Sequence, residues 1–251
     1  MSLLEHLNEL RSRLVKVSLA VVLGTAVGYA VFPALFDFLL DPYCAVQLDI
    51  GQVASADDCG AIALRPLEPF SVRIKVSMLV GVFLGGPVIF WQLWRFIIPG
   101  LTDHERRLAA PFVFLSQVLF GVGIVFAWFI LPNALGVLTS LGGPRIVPTL
   151  TASEYVSFIL TTSVAFGIVF LLPVVLTFLA LLGILTARAM RTARPYAIVG
   201  VAILSAIITP TTDPVTMLLM MAPMTVFYEV SILFAVLFER RRRKQAEELL
   251  D

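Results

Sequence analysis

Charge is what this sequence has least of: only 14% of its 251 residues are Asp, Glu, Lys or Arg. Soluble domains carry roughly 25%, so there are too few charges here to cover a water-facing surface. Histidine is limited to His6 and His104, and cysteine to Cys44 and Cys59. With so few imidazoles and thiols there is no HExxH string, no serine with a placed histidine and no metal-ligand cluster. No pair of aspartates shares an apolar run. Catalysis, a metal and a cofactor are therefore not expected. Eighteen basic residues against seventeen acidic ones leave a net charge of +1, which provides no field for nucleic acid. What abounds is apolar surface: 59% of residues are hydrophobic and mean hydropathy is +0.96. The chain reads as an all-α polytopic membrane protein.

The gaps between charges locate the spans. Residues 17–36, 76–94, 108–144, 155–187 and 195–212 carry no charge, and 214–238 is interrupted only by Glu229. A helix needs about 20 residues, at about 1.5 Å each, to cross a hydrocarbon core of about 30 Å. Six spans are expected, at about 17–38, 71–97, 112–135, 155–182, 195–209 and 215–238. Pro173 lies inside the fourth and should disturb its backbone bonding. Only PTTDP separates the last two, which predicts a tight antiparallel hairpin of short helices. Ahead of the first span, Leu3, Leu7, Leu10 and Leu14 recur at helical spacing, an interfacial amphipathic helix running into the membrane. No cleavable signal peptide fits this start.

Arg11, Arg13 and Lys16, then Arg95, Arg106 and Arg107, then Arg188, Arg191 and Arg194, and finally the tail cluster Arg240–Lys244 fall on one side of that topology. They are fourteen of the eighteen basic residues. Basic residues mark the cytoplasmic side, so both termini, including the charged tail 240–251, are expected there. The first outside loop, about 39–70, holds both cysteines. On an oxidising side they are either bridged or two unpaired thiols, and their number does not decide between these. Arg73 and Lys75, near the outer start of span two, could snorkel to headgroups.

Scarce acids are the candidate functional groups. Glu9 beside Arg11 and Arg13 reads either as part of a solvated ion-paired surface or as a contact for a basic ligand. Glu105 lies three residues after Thr102, a capping-box spacing, and equally offers a carboxylate in a short cytoplasmic connection. Glu229 falls about 15 Å from the tail charges by helix rise, where a charge at membrane depth marks a functional candidate or a structural hydrogen bond. Asp213 stands at the outer turn and could cap the last helix. A small-solute secondary transporter is the alternative class, but its repeat and its midplane charges are not evident. A receptor for something basic fits better.

Several strings resemble the TatC family, the receptor subunit of the twin-arginine protein translocase. They are EHLNELRSRL at 5–14, EPFSVRIKVSM at 68–78, FIIPGLTDHERR at 96–107, RPYAIVG at 194–200 and ITPTTDPVTMLLMMAPMTVFYE at 208–229. The resemblance implies binding of twin-arginine signal peptides of folded cargo, in a bacterial or archaeal cytoplasmic membrane. It also implies recruitment of TatA/TatB-type single-span proteins and further TatC copies, and Sec-independent export driven by the proton-motive force. Carried onto this chain, the signal-contacting residues are Glu9, Arg11, Phe96 and Glu105. Asp213, with Glu229 and Pro173, is expected to serve assembly or transport. Two positions depart from the pattern: many relatives place a glutamate where Leu171 stands, and some a polar residue at Met217.

Overall fold

The computed structural model describes residues 3–49, 55, 59–97, 109–140, 151–208 and 214–248. Among them the chain is all helical: α1 (Leu3–Ala30), α2 (Phe32–Asp49), α3 (Glu68–Ile97), α4 (Ala109–Ser140), α5 (Ala152–Phe170), α6 (Leu172–Leu181), α7 (Ala187–Thr192), α8 (Arg194–Ile208) and α9 (Pro214–Glu248). Five stretches are long and apolar enough to cross a membrane: Asn8–Ala30, Glu68–Arg95, Pro111–Gly136, Ala152–Leu181 and Met217–Arg240. The fifth expected span, α8, has 15 residues, so it rises about 22 Å and is shorter than a hydrocarbon core.

Proline and lipid decide where these helices break. The expected first span, 17–38, is divided by a bend at Val31. Pro33 is the second residue of α2, where the N–H it lacks has no helical acceptor. Hydrogen bonds from Val31 N–H to the Val27 carbonyl (3.1 Å) and from Leu35 N–H to the Val31 carbonyl (3.2 Å) carry the chain through the bend. Helix α2 then occupies the first part of the segment read as an outer loop. The expected interfacial helix is simply the first turns of α1. At Leu171 the N–H turns to the Ile168 carbonyl (3.0 Å), a tightened step that divides α5 from α6 with Pro173 in the first turn of α6. Of the last two helices only α8 is short, because α9 runs 35 residues without interruption into the charged tail.

Helices α1 and α3 lie antiparallel with their backbones in contact. GTAVG at 24–28 and GVFLG at 81–85 each set two glycines one turn apart, the small-residue spacing that lets membrane helices approach closely. A Cβ added at Gly24 would stand 2.9 Å from the Gly81 Cα, and one at Gly28 would stand 2.7 Å from the Ser77 carbonyl oxygen. The same device joins α4 to α5, where a Cβ at Gly123 would lie 2.8 Å from the Gly167 Cα.

At the end of the bundle opposite the N-terminus a disulfide joins Cys44 of α2 to Cys59 in the segment before α3. Both sulfurs pack on a core formed by Leu39, Tyr43, Val72, Val76, Leu131, Leu135, Tyr155 and Val156. The buried Tyr155 hydroxyl donates to the Leu39 carbonyl at 2.5 Å, tying α5 to α2. Ala152 N–H donates to the Ile62 carbonyl (2.8 Å) within an isolated parallel bridge between Ile62 and Thr151.

Two one-carbon substitutions test the glycine seam. Gly81→Ala is expected to lower stability by about 2 kcal/mol, because the methyl group meets backbone. Gly200→Ala on α8, where a Cβ meets nothing within 4 Å, is expected to raise it by up to about 1 kcal/mol through helix propensity. Thermal unfolding of both variants in detergent, followed by tryptophan fluorescence, reads the opposite signs directly.

Candidate functional site

At the N-terminal end of the bundle the last turns of α3 are fixed by aromatic packing. The Trp94 ring meets Phe178 of α6 edge-on at 4.5 Å between centroids and Phe112 of α4 at 5.3 Å. Its indole N–H donates to the Ser116 hydroxyl at 3.0 Å. Against this anchored helix end lies the first part of α1. Arg13 is buried, at 8% exposure. One Nη donates to the Gln92 carbonyl of α3 at 3.2 Å, and the other forms an ion pair with the Glu9 carboxylate one turn earlier on α1. A cation at a helix C-terminal end is favoured by the carbonyl dipoles that gather there. Glu9 thus sits beside the end of α3, half-buried. Phe96 follows Gln92 by four residues, so its backbone is one turn beyond this contact. Its side chain, and Glu105 in the connection to α4, lie outside the described residues.

The same end carries α7, α8 and the second half of α9. Arg194, the first residue of α8, pairs with Glu229 of α9 at 2.6 Å, both side chains being 47% exposed. The Tyr228 hydroxyl donates to the Met190 carbonyl at 2.8 Å, and the Glu239 carboxylate accepts from Ala187 N–H at 2.7 Å. These bonds moor α7 and the start of α8 to α9. A cavity of about 50 Å³ lies beside the ion pair, walled by Ala197, Ile198, Val201 and Thr225.

At the opposite end, Glu68 opens α3 as a buried acceptor. One carboxylate oxygen takes N–H bonds from Leu64 (2.9 Å) and Arg65 (3.3 Å), and the other takes the Ser153 N–H (2.9 Å). Lys75 does not snorkel. Its Nζ reaches across to the Ser153 and Ser157 hydroxyls on α5, at 2.9 and 2.8 Å. Arg73 lies 3.9 Å over the Tyr29 ring and donates to the Tyr29 carbonyl at 3.1 Å. Each cation finds its partner on a neighbouring helix, Lys75 in a partly buried place and Arg73 at the surface, so its charge does not stand alone against lipid. A cavity of about 760 Å³ opens here between Leu64–Glu68 and Thr151–Glu154.

Of the residues singled out in the sequence, Glu9 comes together with Arg13 and the end of α3, while Arg11 is exposed. Glu229 is held by Arg194 rather than standing isolated at depth. Pro173 is buried at the α5–α6 break. Asp213, in the stretch before α9, lies outside the described residues. Leu171 packs among aromatic side chains at the N-terminal end of the bundle, and Met217 is half-buried. On α5, the buried Thr162 hydroxyl has no partner among the described residues. Sequence reading set Arg13 beside Glu9 only as an ordinary surface ion pair, and passed over Arg194, Glu68 and Lys75 as members of polar constellations. The i,i+4 spacing of Glu9 and Arg13 was the one local signal available. The other pairings cross between helices.

A family model described as TatC, Sec-independent protein translocase protein, matches residues 5–223. The Sec-independent protein translocase protein TatC of Aquifex aeolicus (strain VF5) is 37% identical over 247 residues, covering 97% of this chain and 98% of that one. Its counterpart in Frankia casuarinae is 37% identical over 250 residues, 98% of this chain and 69% of the relative. A crystal structure of a twin arginine translocase receptor TatC superposes with a TM-score of 0.74 at 36% identity, covering 93% of this chain and 99% of that one. A second, in DDM, gives 0.75 at 37% identity, with 92% and 99% covered.

The Arg194–Glu229 pair is half-exposed on both sides, so its share of stability is small. Glu229→Gln is expected to shift unfolding in detergent by less than about 1 kcal/mol. A larger shift in chemical denaturation would mean that the pair is buried in the folded protein.

Proposed function

The chain belongs to the TatC family of Sec-independent protein translocase proteins, and on that footing we propose that it is the receptor for twin-arginine signal peptides. Its role in Sec-independent translocation and its place in a membrane follow from the family and from its five long apolar helices. The finer reading is that six spans place both termini in the cytoplasm, and that Glu9 and Glu105 face the incoming signal. Arg11 and Phe96 stand beside them. The protein then gathers TatA/TatB-type single-span subunits and further TatC copies for export driven by the proton-motive force.

The observation that supports this most is the placing of the Glu9 carboxylate at the anchored end of α3, beside Gln92 and one turn from Phe96. Arginine presents five N–H donors in a planar fork that matches a carboxylate with two parallel bonds. Two carboxylates at one membrane surface therefore suit two adjacent arginines. Lysine carries the same charge without the fork, so the discrimination is geometric as well as electrostatic. Nothing is chemically transformed. The signal is recognised, and its apolar stretch lies along the helices.

Glu9→Ala and Glu105→Ala are each expected to weaken site-specific crosslinking of the purified protein in lipid to a twin-arginine signal peptide by about tenfold. The double variant should nearly abolish it. Wild-type crosslinking in the double variant, or equal capture of RR and KK peptides by the unaltered protein, would sink the assignment. Asp213→Asn is expected to reduce transport of a folded reporter into vesicles much more than it reduces peptide crosslinking. Equal losses in both assays would place Asp213 in binding rather than in assembly.

A further inference from the structure

We propose that Arg13 is the positioning residue of the signal-binding carboxylate: it acts through Glu9, fixing that group at the end of α3. The proposal rests on the assignment of Glu9 to signal binding made above. An ordinary i,i+4 ion pair lies on a helix surface with both partners solvated. This one is lopsided. The Arg13 side chain is 9% exposed whereas that of Glu9 is 35% exposed, so an approaching ligand meets the carboxylate and not the guanidinium behind it. The second Nη bonds the Gln92 carbonyl of α3, which makes the guanidinium a bridge from one helix to the acid on another. Its Nε is buried without a partner among the described residues.

A guanidinium buried in this way loses hydration that two bonds only partly replace, and an apolar side chain would join α1 to α3 at lower cost. What the arginine adds is direction. Glu9 lies on the first turns of α1, and its ion pair with Arg13 narrows the rotamers its carboxylate samples at the membrane surface. Held in this way, it spends less rotamer entropy when a ligand binds. Simple electrostatics predicts the opposite role. A cation touching Glu9 would compete with the signal's arginines, and its removal would strengthen capture of a dicationic peptide. The two accounts differ in sign.

The full-length protein in nanodiscs, a synthetic twin-arginine signal peptide carrying a photocrosslinker, and the variants Arg13→Gln, Arg13→Lys, Glu9→Gln and Glu9→Gln/Arg13→Gln separate them. Positioning predicts that Arg13→Gln lowers capture about tenfold and narrows the preference for RR over KK peptides. The double variant should fall within about twofold of Glu9→Gln alone, because Arg13 acts only through that acid. Arg13→Lys keeps the charge and the fold, but a single ammonium does not reproduce the planar two-sided bridge. It should lose about threefold. Unchanged or stronger capture by Arg13→Gln overturns the proposal, as do additive losses in the double variant. If Arg13→Gln does not fold, wild-type capture and RR preference in Arg13→Lys overturn it equally. Wild-type capture by Glu9→Gln would instead remove the receptor reading of Glu9 on which all of this stands.

Discussion

The backbone contact between α1 and α3 is the constraint on which the rest of the molecule depends. Gly24, Gly28 and Gly81 add no side chain of their own to the seam, so the two backbones come close enough that a Cβ at any of them would meet backbone of the facing helix within 3 Å. At that separation a side chain as long as arginine, rooted on α1, reaches a backbone carbonyl of α3. The Arg13–Gln92 bond and the placing of Glu9 follow from that distance, as does Arg73 lying across Tyr29 at the other end of the same helix pair. In lipid no hydrophobic force draws these helices together, so close packing and interhelical hydrogen bonds must do so. The glycines supply the first and let the arginines supply the second.

Polarity is reversed relative to a soluble helix pair. On α1, Leu10 and Leu14 point outward at 47% and 63% exposure while Arg13 is buried. Apolar side chains suit the lipid-facing and interfacial surround, and polar ones need partners found only between helices. The same rule turns Lys75 toward Ser153 and Ser157 and buries the Glu68 carboxylate among backbone N–H groups. The leucine spacing is therefore a valid helix signal, yet Leu10 and Leu14 mark the face away from the bundle.

The two ends of the molecule are built differently. At the end opposite the N-terminus, the Cys44–Cys59 disulfide, the Tyr155 hydroxyl and the Ile62–Thr151 bridge knit α2, the segment before α3 and the start of α5 into a closed cap. At the N-terminal end the acids sit beside helix ends: Glu9 near the end of α3, Glu229 across from the start of α8, and Glu239 on the first N–H of α7. A rigid cap at one end and carboxylates beside helix ends at the other suit a protein that receives a basic ligand on one side of a membrane.

Charge scarcity and the length of the uncharged runs were enough to establish a polytopic helical membrane protein, and the separate loop motifs were enough to suggest its family. The effect of Pro173 was equally legible, since a missing N–H acts locally. The bend at Val31 and the helix that follows it were not, because Asp37, Asp41, Pro42 and Asp49 make the second half of α2 read as a loop, and only packing of its apolar residues on the core shows it as a helical cap. Glu9 could be picked out as a rare acid on a basic surface, and i,i+4 spacing favours Arg13 over Arg11 as its helical partner, but nothing in the sequence showed that Arg13 is buried and bonded to α3. Tertiary structure decided that, because Arg13 stands on the side of α1 that faces α3. One-dimensional order fixes which groups are rare and which segments enter lipid. Which rare groups touch depends on how closely two helices approach, and that distance exists only in the folded molecule.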